Sequence, residues 1–379
     1  MHIESTFPRC SVRYNGCAHT GQTPYLGNVY DVNTLELERQ PRRLDMTRLG
    51  MVLYHGIESG PQLKEYATLA EAAGYESLWV TERYFHEETF ALLGFLAALT
   101  RTMKLGVGVT NPYTRHPALL AMASATLDRI CGGRFLLGLG RSERAVIQER
   151  MGIPYGPPRA TLAEAVGMIR ALLAGQRVNT TAGRLTLRDA RLAITPIQQA
   201  LPIYVAAIGP KALRLAGAVA DGVLLNAYVP PGYVRYAVHE VREAARAAGR
   251  DPQAIDIACM LVVRLTNDLG QMLPSLKQRL VRLLEEPYVG EILLDKGGFD
   301  PAMLGALRTA AAQGRQAEAA SFVSEAMVEA FYLAGTASQC RARLAEYRTA
   351  GVDLPLLLPR LEDYQATVEA LRSGASPQA

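Results

Sequence analysis

From Arg48 to Arg372 the chain alternates short apolar runs with amphipathic stretches, and it does so eight times. The runs are Arg48–Tyr54, Tyr75–Thr81, Met103–Val109, Arg134–Gly138, Pro202–Ala207, Gly222–Asn226, Ile255–Arg264 and Leu354–Pro359. They are apolar nearly throughout rather than at every second residue, as parallel strands buried on both faces are. The stretches between them read as helices. The first, Pro61 to Ala73, gathers Leu63, Tyr66, Ala67 and Ala70 on one face and stops at Gly74, a C-cap glycine. Eight such units fit a closed (β/α)8 TIM barrel, with an open doubly wound sheet and its nucleotide crevice as the alternative. A helical insertion over about 270–333 is expected before the last strand.

Residues 1–45 differ: they are polar and turn-rich, with no sustained period, and are expected to form a poorly structured or loosely attached extension. Met46 stands as an alternative start, which leaves 46–379 for the barrel. The composition, 49 % apolar and 20 % charged, is globular. The net charge of +4 is spread over mixed-sign segments, and Arg42-Arg43 is the one notable basic pair, so no nucleic-acid partner is expected. No apolar run approaches the roughly 20 residues of a membrane span, and the leading residues lack a signal-peptide pattern, so a cytoplasmic protein is expected. The five cysteines form no CxxC pair. Cys10, Cys17 and His19 lack a fourth ligand, and no HxH or HExxH pattern occurs, so no metal site is expected.

In a parallel barrel the loops after the strands build the active site. The densest candidate is Lys104-Leu-Gly-Val-Gly-Val-Thr-Asn-Pro-Tyr113. Gly106 and Gly108 fall on one face of a strand, where missing side chains allow close approach of a flat ring or, as the plainer alternative, fill a tight place in the barrel. Glu82 and Glu143 are acids at the mouth, and His55, His86 and His116 are imidazoles able to relay a proton. Ala207-Ile208-Gly209 leads into a helix opened by Pro210, with Lys211 nearby, a place suited to an anion. Gly138-Leu-Gly140 fails as a dinucleotide fingerprint, because Glu143 stands where the third glycine belongs, and remains an approach loop beside a ligand. An anion grip, a flat slot and a few proton donors suit a bound redox cofactor.

Several motifs together resemble the bacterial luciferase-like superfamily of FMN- or F420-binding barrels, and within it the methylenetetrahydromethanopterin reductases. They are Leu78-Trp-Val-Thr81 with Glu82 and Tyr84, the 104–113 run, Ala125-Thr-Leu-Asp128 with Gly133-Arg134, Gly138-Leu-Gly140, Gly209-Pro210, and Asp221-Gly222 with Asn226. The resemblance spans roughly Thr47 to Leu371. It implies a strand bulge with a non-proline cis peptide at Gly108-Val109 under the middle ring of the cofactor. It also implies Glu82 at the ring edge, Thr110 and Asn111 at the ring, Glu143 as proton donor, Ile208-Gly209 at the phosphate, and a homodimer. Two places depart from the pattern: Glu82-Arg83 replaces an Asp-His, and Arg141-Ser142 replaces a Pro-Gly. The extra positive charge leaves the cofactor role in place and loosens the link to a methanopterin substrate.

The expectation is therefore a coenzyme F420-dependent oxidoreductase moving a hydride to or from a C=N or C=C centre of a small organic molecule. Its catalytic candidates are Glu143, Glu82 and His55. Its cofactor contacts are Glu82, Gly108, Val109, Thr110, Asn111, Gly140, Ile208, Gly209 and Asn226. The alternatives are an FMN-dependent monooxygenase and a flavin-binding protein without catalysis.

Overall fold

The computed structural model describes residues 48–181 and 183–372. The expected extension, with Cys10, Cys17, His19 and Arg42-Arg43, lies outside the described residues. In the first half, strands β1 (Gly50–Leu53), β2 (Ser77–Val80), β3 (Lys104–Thr110) and β4 (Phe135–Leu139) alternate with helices α1 (Gly60–Ala72), α2 (Thr89–Leu99) and α3 (Pro117–Ile130). A π-helical turn, Ala145–Arg150, and helix α4 (Pro158–Leu173) follow. A small hairpin of β5 (Val178–Thr180) and β6 (Leu187–Ala190) comes next.

Strands β7 (Ile203–Ala207), β8 (Gly222–Leu225) and β9 (Asp256–Leu265) then frame helices α5 (Pro210–Val219) and α6 (Pro231–Ala247). The expected helical insertion is present and holds five α-helices: α7 (Leu269–Leu284), α8 (Val289–Gly297), α9 (Leu304–Ala312), α10 (Gln316–Ser321) and α11 (Glu325–Phe331). It returns through a short strand β10 (Leu333–Gly335), which pairs in parallel with β9. Helix α12 (Ala337–Thr349), strand β11 (Leu354–Leu358) and helix α13 (Tyr364–Leu371) close the chain.

The barrel is closed and parallel, in the order β1-β2-β3-β4-β7-β8-β9-β11, with β11 returning to β1. The open-sheet alternative is thereby excluded. Two elements escaped the sequence reading. The β5–β6 hairpin has exposed, polar positions and no apolar period to betray it. Strand β10 is only 3 residues long, too short to stand out against the helix before it.

Glycines shape the barrel interior by yielding room to large neighbours. A Cβ on Gly222 would stand 2.3 Å from the Tyr204 ring, and one on Gly50 would stand 2.5 Å from Leu356. Tyr204 meets the fully buried Trp79 edge to face, with centroids 5.2 Å apart. The N-terminal end of the barrel is closed by charge. Arg48 donates to Glu76 at 2.6 Å and to Asp256 at 2.9 Å, and Tyr204 donates to the same Asp256 at 2.6 Å. Burial opposes a charge on the Arg48 guanidinium, but its two carboxylate partners outweigh that and hold it above its ordinary value.

Candidate active site

At the C-terminal ends of the strands lies a cavity of about 1020 Å³. That is at the upper end of the roughly 300–1,000 Å³ usual for small-molecule sites. Its floor is the end of β3. The β3–β4 register shifts between Val107 and Thr110, and the Gly108-Val109 peptide is cis. Gly108, Val109, Thr110 and Asn111 all face the cavity.

The two glycines of β3 turn out to do different things. A Cβ on Gly106 would fall 2.4 Å from the Trp79 indole, so Gly106 makes way for a core side chain and does not line the cavity. For this residue the plainer expectation holds. Gly108 does line it, and a Cβ there would stand 2.9 Å from Met260 Cε on the opposite wall. Bare main chain therefore begins at Gly108 and not at Gly106.

Gly138 and Gly140 serve the bulge rather than the cavity. Cβ atoms on them would stand 2.9 Å from Val109 Cγ1 and 2.5 Å from Val109 Cγ2. The Gly140 N–H donates to the Thr110 carbonyl at 2.7 Å, tying the two strand ends together. Gly140, expected beside the cofactor, is absent from the lining. The spacing that looked like a nucleotide loop is the space into which the β3 bulge folds.

The polar side chains at the mouth are largely committed to one another. Glu82, with a side chain only 8 % exposed, pairs with Arg115 at 2.5 Å. Arg115 also donates to Thr110 Oγ1 at 3.2 Å and to Glu88. Burial weighs against the Arg115 charge, and Glu82 overcomes it, raising the guanidinium above its ordinary value. Glu82 is thus an ion-pair partner that positions the end of β3, not a free acid.

Asn111 is similarly occupied. Its Oδ1 accepts from the Tyr113 and Thr114 N–H groups at 2.9 and 3.0 Å, which fixes the Asn-Pro turn. Its Nδ2 donates to the Tyr84 hydroxyl, which donates in turn to Ser142 Oγ at 2.9 Å. Burial raises the Tyr84 phenol above its ordinary value, so it stays protonated and can donate. This Asn111–Tyr84–Ser142 chain joins three loops. Ser142 holds a left-handed backbone, φ 55°, the conformation its place in the loop after β4 demands.

Glu143 is exposed on the rim and lines the cavity, as does the exposed Asn226. His55 stacks obliquely on His86, centroids 4.4 Å apart, and also lines it. Burial first, then His86 and Arg83, push the His55 imidazole below its ordinary 6.5. His116 is elsewhere in role: its Nδ1 caps α3 by accepting from the Ala118 N–H at 3.2 Å, and its Nε2 lies 3.1 Å from the Thr186 carbonyl oxygen.

Ile208 and Gly209 open α5, whose first turn has no side-chain cap, yet neither residue lines the cavity. Tyr288, from the insertion, lies over them: a Cβ on Gly209 would stand 2.9 Å from its ring. The other wall is built by residues the motif reading passed over: Met260, Val262 and Arg264 of β9, and Arg279 of α7. Arg264 had a signal, being a charge at the C-terminal end of a strand that is apolar from Ile257 to Val263.

Among the described residues no group of His, Cys, Asp and Glu is arranged to hold a metal ion. Among the described residues no helix is long and apolar enough to cross a membrane.

Residues 44–354 match the family model described as luciferase-like monooxygenase. The 5,10-methylenetetrahydromethanopterin reductase of Methanolobus tindarius is 36 % identical over 299 residues, covering 78 % of this chain and 90 % of that one. The enzyme of the same name from Archaeoglobus fulgidus is 33 % identical over 306 residues, with 78 % and 90 % covered. Among solved structures, the coenzyme F420 dependent tetrahydromethanopterin reductase of Methanopyrus kandleri superposes with a TM-score of 0.74 at 27 % identity, over 86 % of this chain and 96 % of that one. With a closed barrel, a bulged third strand and a cavity at its C-terminal face, this chain belongs to the luciferase-like family of oxidoreductases.

Proposed function

We propose that the protein is an F420-dependent oxidoreductase that moves a hydride between the deazaflavin and a small organic substrate with a C=N or C=C centre. The observation that carries this reading is the bare floor at Gly108–Asn111, set in a cavity large enough for a tricyclic ring and a substrate together. The residues fit such a ring: main chain without a side chain at Gly108, Val109 pushed up by the bulge, and Thr110 held by Arg115. A solved structure named as coenzyme F420 dependent, superposing over 86 % of this chain, supports the choice of cofactor.

In this reading Gly108, Val109, Thr110, Asn111 and Asn226 would hold the ring, and the uncapped first turn of α5 at Ile208–Gly209, which lies outside the ring's cavity and against Tyr288, would take the phosphate once Tyr288 swings aside. Bound there, the deazaflavin supplies a carbon centre that gives or accepts two electrons with a proton. The chain's own part is to bind, orient and handle protons. Glu82 acts through Arg115 on the floor. Glu143, on the rim without a committed partner in the described structure, is the proton donor, and His55, kept neutral, is a second proton-handling group. Gly140 supports the ring indirectly, by accommodating Val109.

A homodimer and a cytoplasmic location belong to the same reading. The dimer is supported by exposed apolar side chains on the packed helices α2 and α3: Phe95, Leu119, Met122 and Ile130. The location is supported by the free, buried thiols of Cys131, Cys259 and Cys340.

The test is to titrate F420 and FMN separately and follow absorbance and fluorescence. Saturable micromolar binding of F420 is expected. Binding of FMN alone, with oxygen consumed on reduction, would turn the assignment to an FMN-dependent monooxygenase. Binding with no turnover across reductants and acceptors would leave a flavin-binding protein.

A further inference from the structure

Strand β9 carries a line of residues from the cavity floor to its rim. Met260, Val262 and Arg264 alternate along one face, and all three line the cavity. Met260 reaches across to Gly108. Arg264, four residues further on, is roughly 13 Å closer to the mouth at about 3.3 Å per residue. Arg279 of α7 reaches the same wall and donates to the Tyr228 hydroxyl at 3.4 Å.

Neither guanidinium has a carboxylate within ion-pair distance among the described residues. The hydrogen bond found for Arg264 goes to the neighbouring Val263 carbonyl, at 2.6 Å, leaving most of its N–H donors unused. The other acids that line the cavity do not compensate: Glu82 is taken by Arg115 and Glu362 by Arg360, and Glu143 projects from the β4 loop. Burial pulls Arg264 below its ordinary value and Arg360 adds to this, while Tyr228, Tyr332 and Asp363 work against it. A half-buried guanidinium in this position gains from an anion that brings oxygen acceptors in a fork geometry.

We infer that Arg264 and Arg279 form an anion subsite that holds a carboxylate or phosphate of the substrate near the mouth while its reacting carbon lies over Gly108–Val109. The distance along β9 sets the class: a molecule with an anionic group on the order of 10 Å from the reducible centre. The assignment of the reacting end rests on the deazaflavin reading above; the subsite itself does not. A phosphate or carboxylate on the cofactor's own tail has the same chemistry, and the experiment separates the two sources.

Inorganic phosphate is titrated calorimetrically into the cofactor-free protein and into Arg264→Gln and Arg279→Gln, with Arg177→Gln, on the exposed β5–β6 hairpin, as control. Each variant is first shown to melt as the parent does. Millimolar binding to the parent, weakened at least tenfold in both cavity variants and unchanged in the control, is expected. Equal phosphate affinity in all four proteins would overturn the subsite. F420 and its tail-less deazaflavin core are then titrated into the same proteins. Less than a twofold change in both is expected. A tenfold loss for F420 with none for the core would assign the arginines to the cofactor tail and overturn the substrate role. Failure of the parent to bind either would sink the deazaflavin reading while the phosphate result still decides the subsite.

Discussion

Gly140 of the loop after β4 lies under Val109: a Cβ on it would stand 2.5 Å from Val109 Cγ2. The end of one strand is thus bare so that its neighbour can bulge. Gly140→Ala should push Val109 up into the cavity or force the strands apart. Overpacking of this kind costs about 1–3 kcal/mol. F420 affinity should fall by tenfold or more, with a measurable drop in urea midpoint; unchanged affinity would show that the bulge tolerates the methyl.

Arg48 bridges Glu76 and the buried Asp256, whose side chain is 1 % exposed. Arg48→Met removes the ion-pair partner of that carboxylate at the bottom of the barrel and leaves it the Tyr204 hydroxyl. Loss of one partner of a buried pair costs about 3–5 kcal/mol. Urea unfolding should report a loss of that size, and adding Asp256→Asn should recover part of it. A loss below 1 kcal/mol would mean that Tyr204 and solvent satisfy Asp256 without Arg48.

His55 is held below its ordinary 6.5 by burial, His86 and Arg83. An imidazole with a depressed folded value resists protonation, so its contribution to stability is complete above 6.5 and is lost as pH falls through the folded value. The NMR titration midpoint of His55 should lie below 6.5, and Arg83→Gln should move it upward. A midpoint at or above the ordinary value would contradict the positive surroundings found there.

Glu143→Gln should slow hydride transfer by roughly 10²-fold, the usual worth of a positioned general acid, and leave F420 affinity within twofold. Glu82→Gln should do the reverse, weakening F420 binding through Arg115 and Thr110 more than it slows the chemical step. Swapped effects in the two variants would exchange the roles assigned to the two acids.

The barrel was readable from Val-, Leu- and Ile-rich runs because parallel strands buried on both sides leave no polar alternation to confuse the pattern. The cis peptide at Gly108-Val109 came from resemblance of the 104–113 motif, not from any local propensity. What the sequence concealed was direction. Gly106 and Gly108 share a face on paper, yet the bulge and Trp79 give the first to the core and the second to the cavity. Glu82 and Asn111 looked free because their partners, Arg115 and Tyr84, depend on loop geometry that spacing does not encode. Arg264 and Arg279 come from separate elements, β9 and the inserted α7, and share a cavity only in the folded chain.

Replacing Gly108 with Val puts branched carbon where the floor is bare, beside Met260 and Trp79. Fluorescence titration of F420 into the parent and into Gly108→Val, both checked by circular dichroism and thermal melting, tests the core of the account. Micromolar binding to the parent and none to a folded variant is the predicted result. Equal binding to both would place the cofactor elsewhere and contradict the role given to the end of β3.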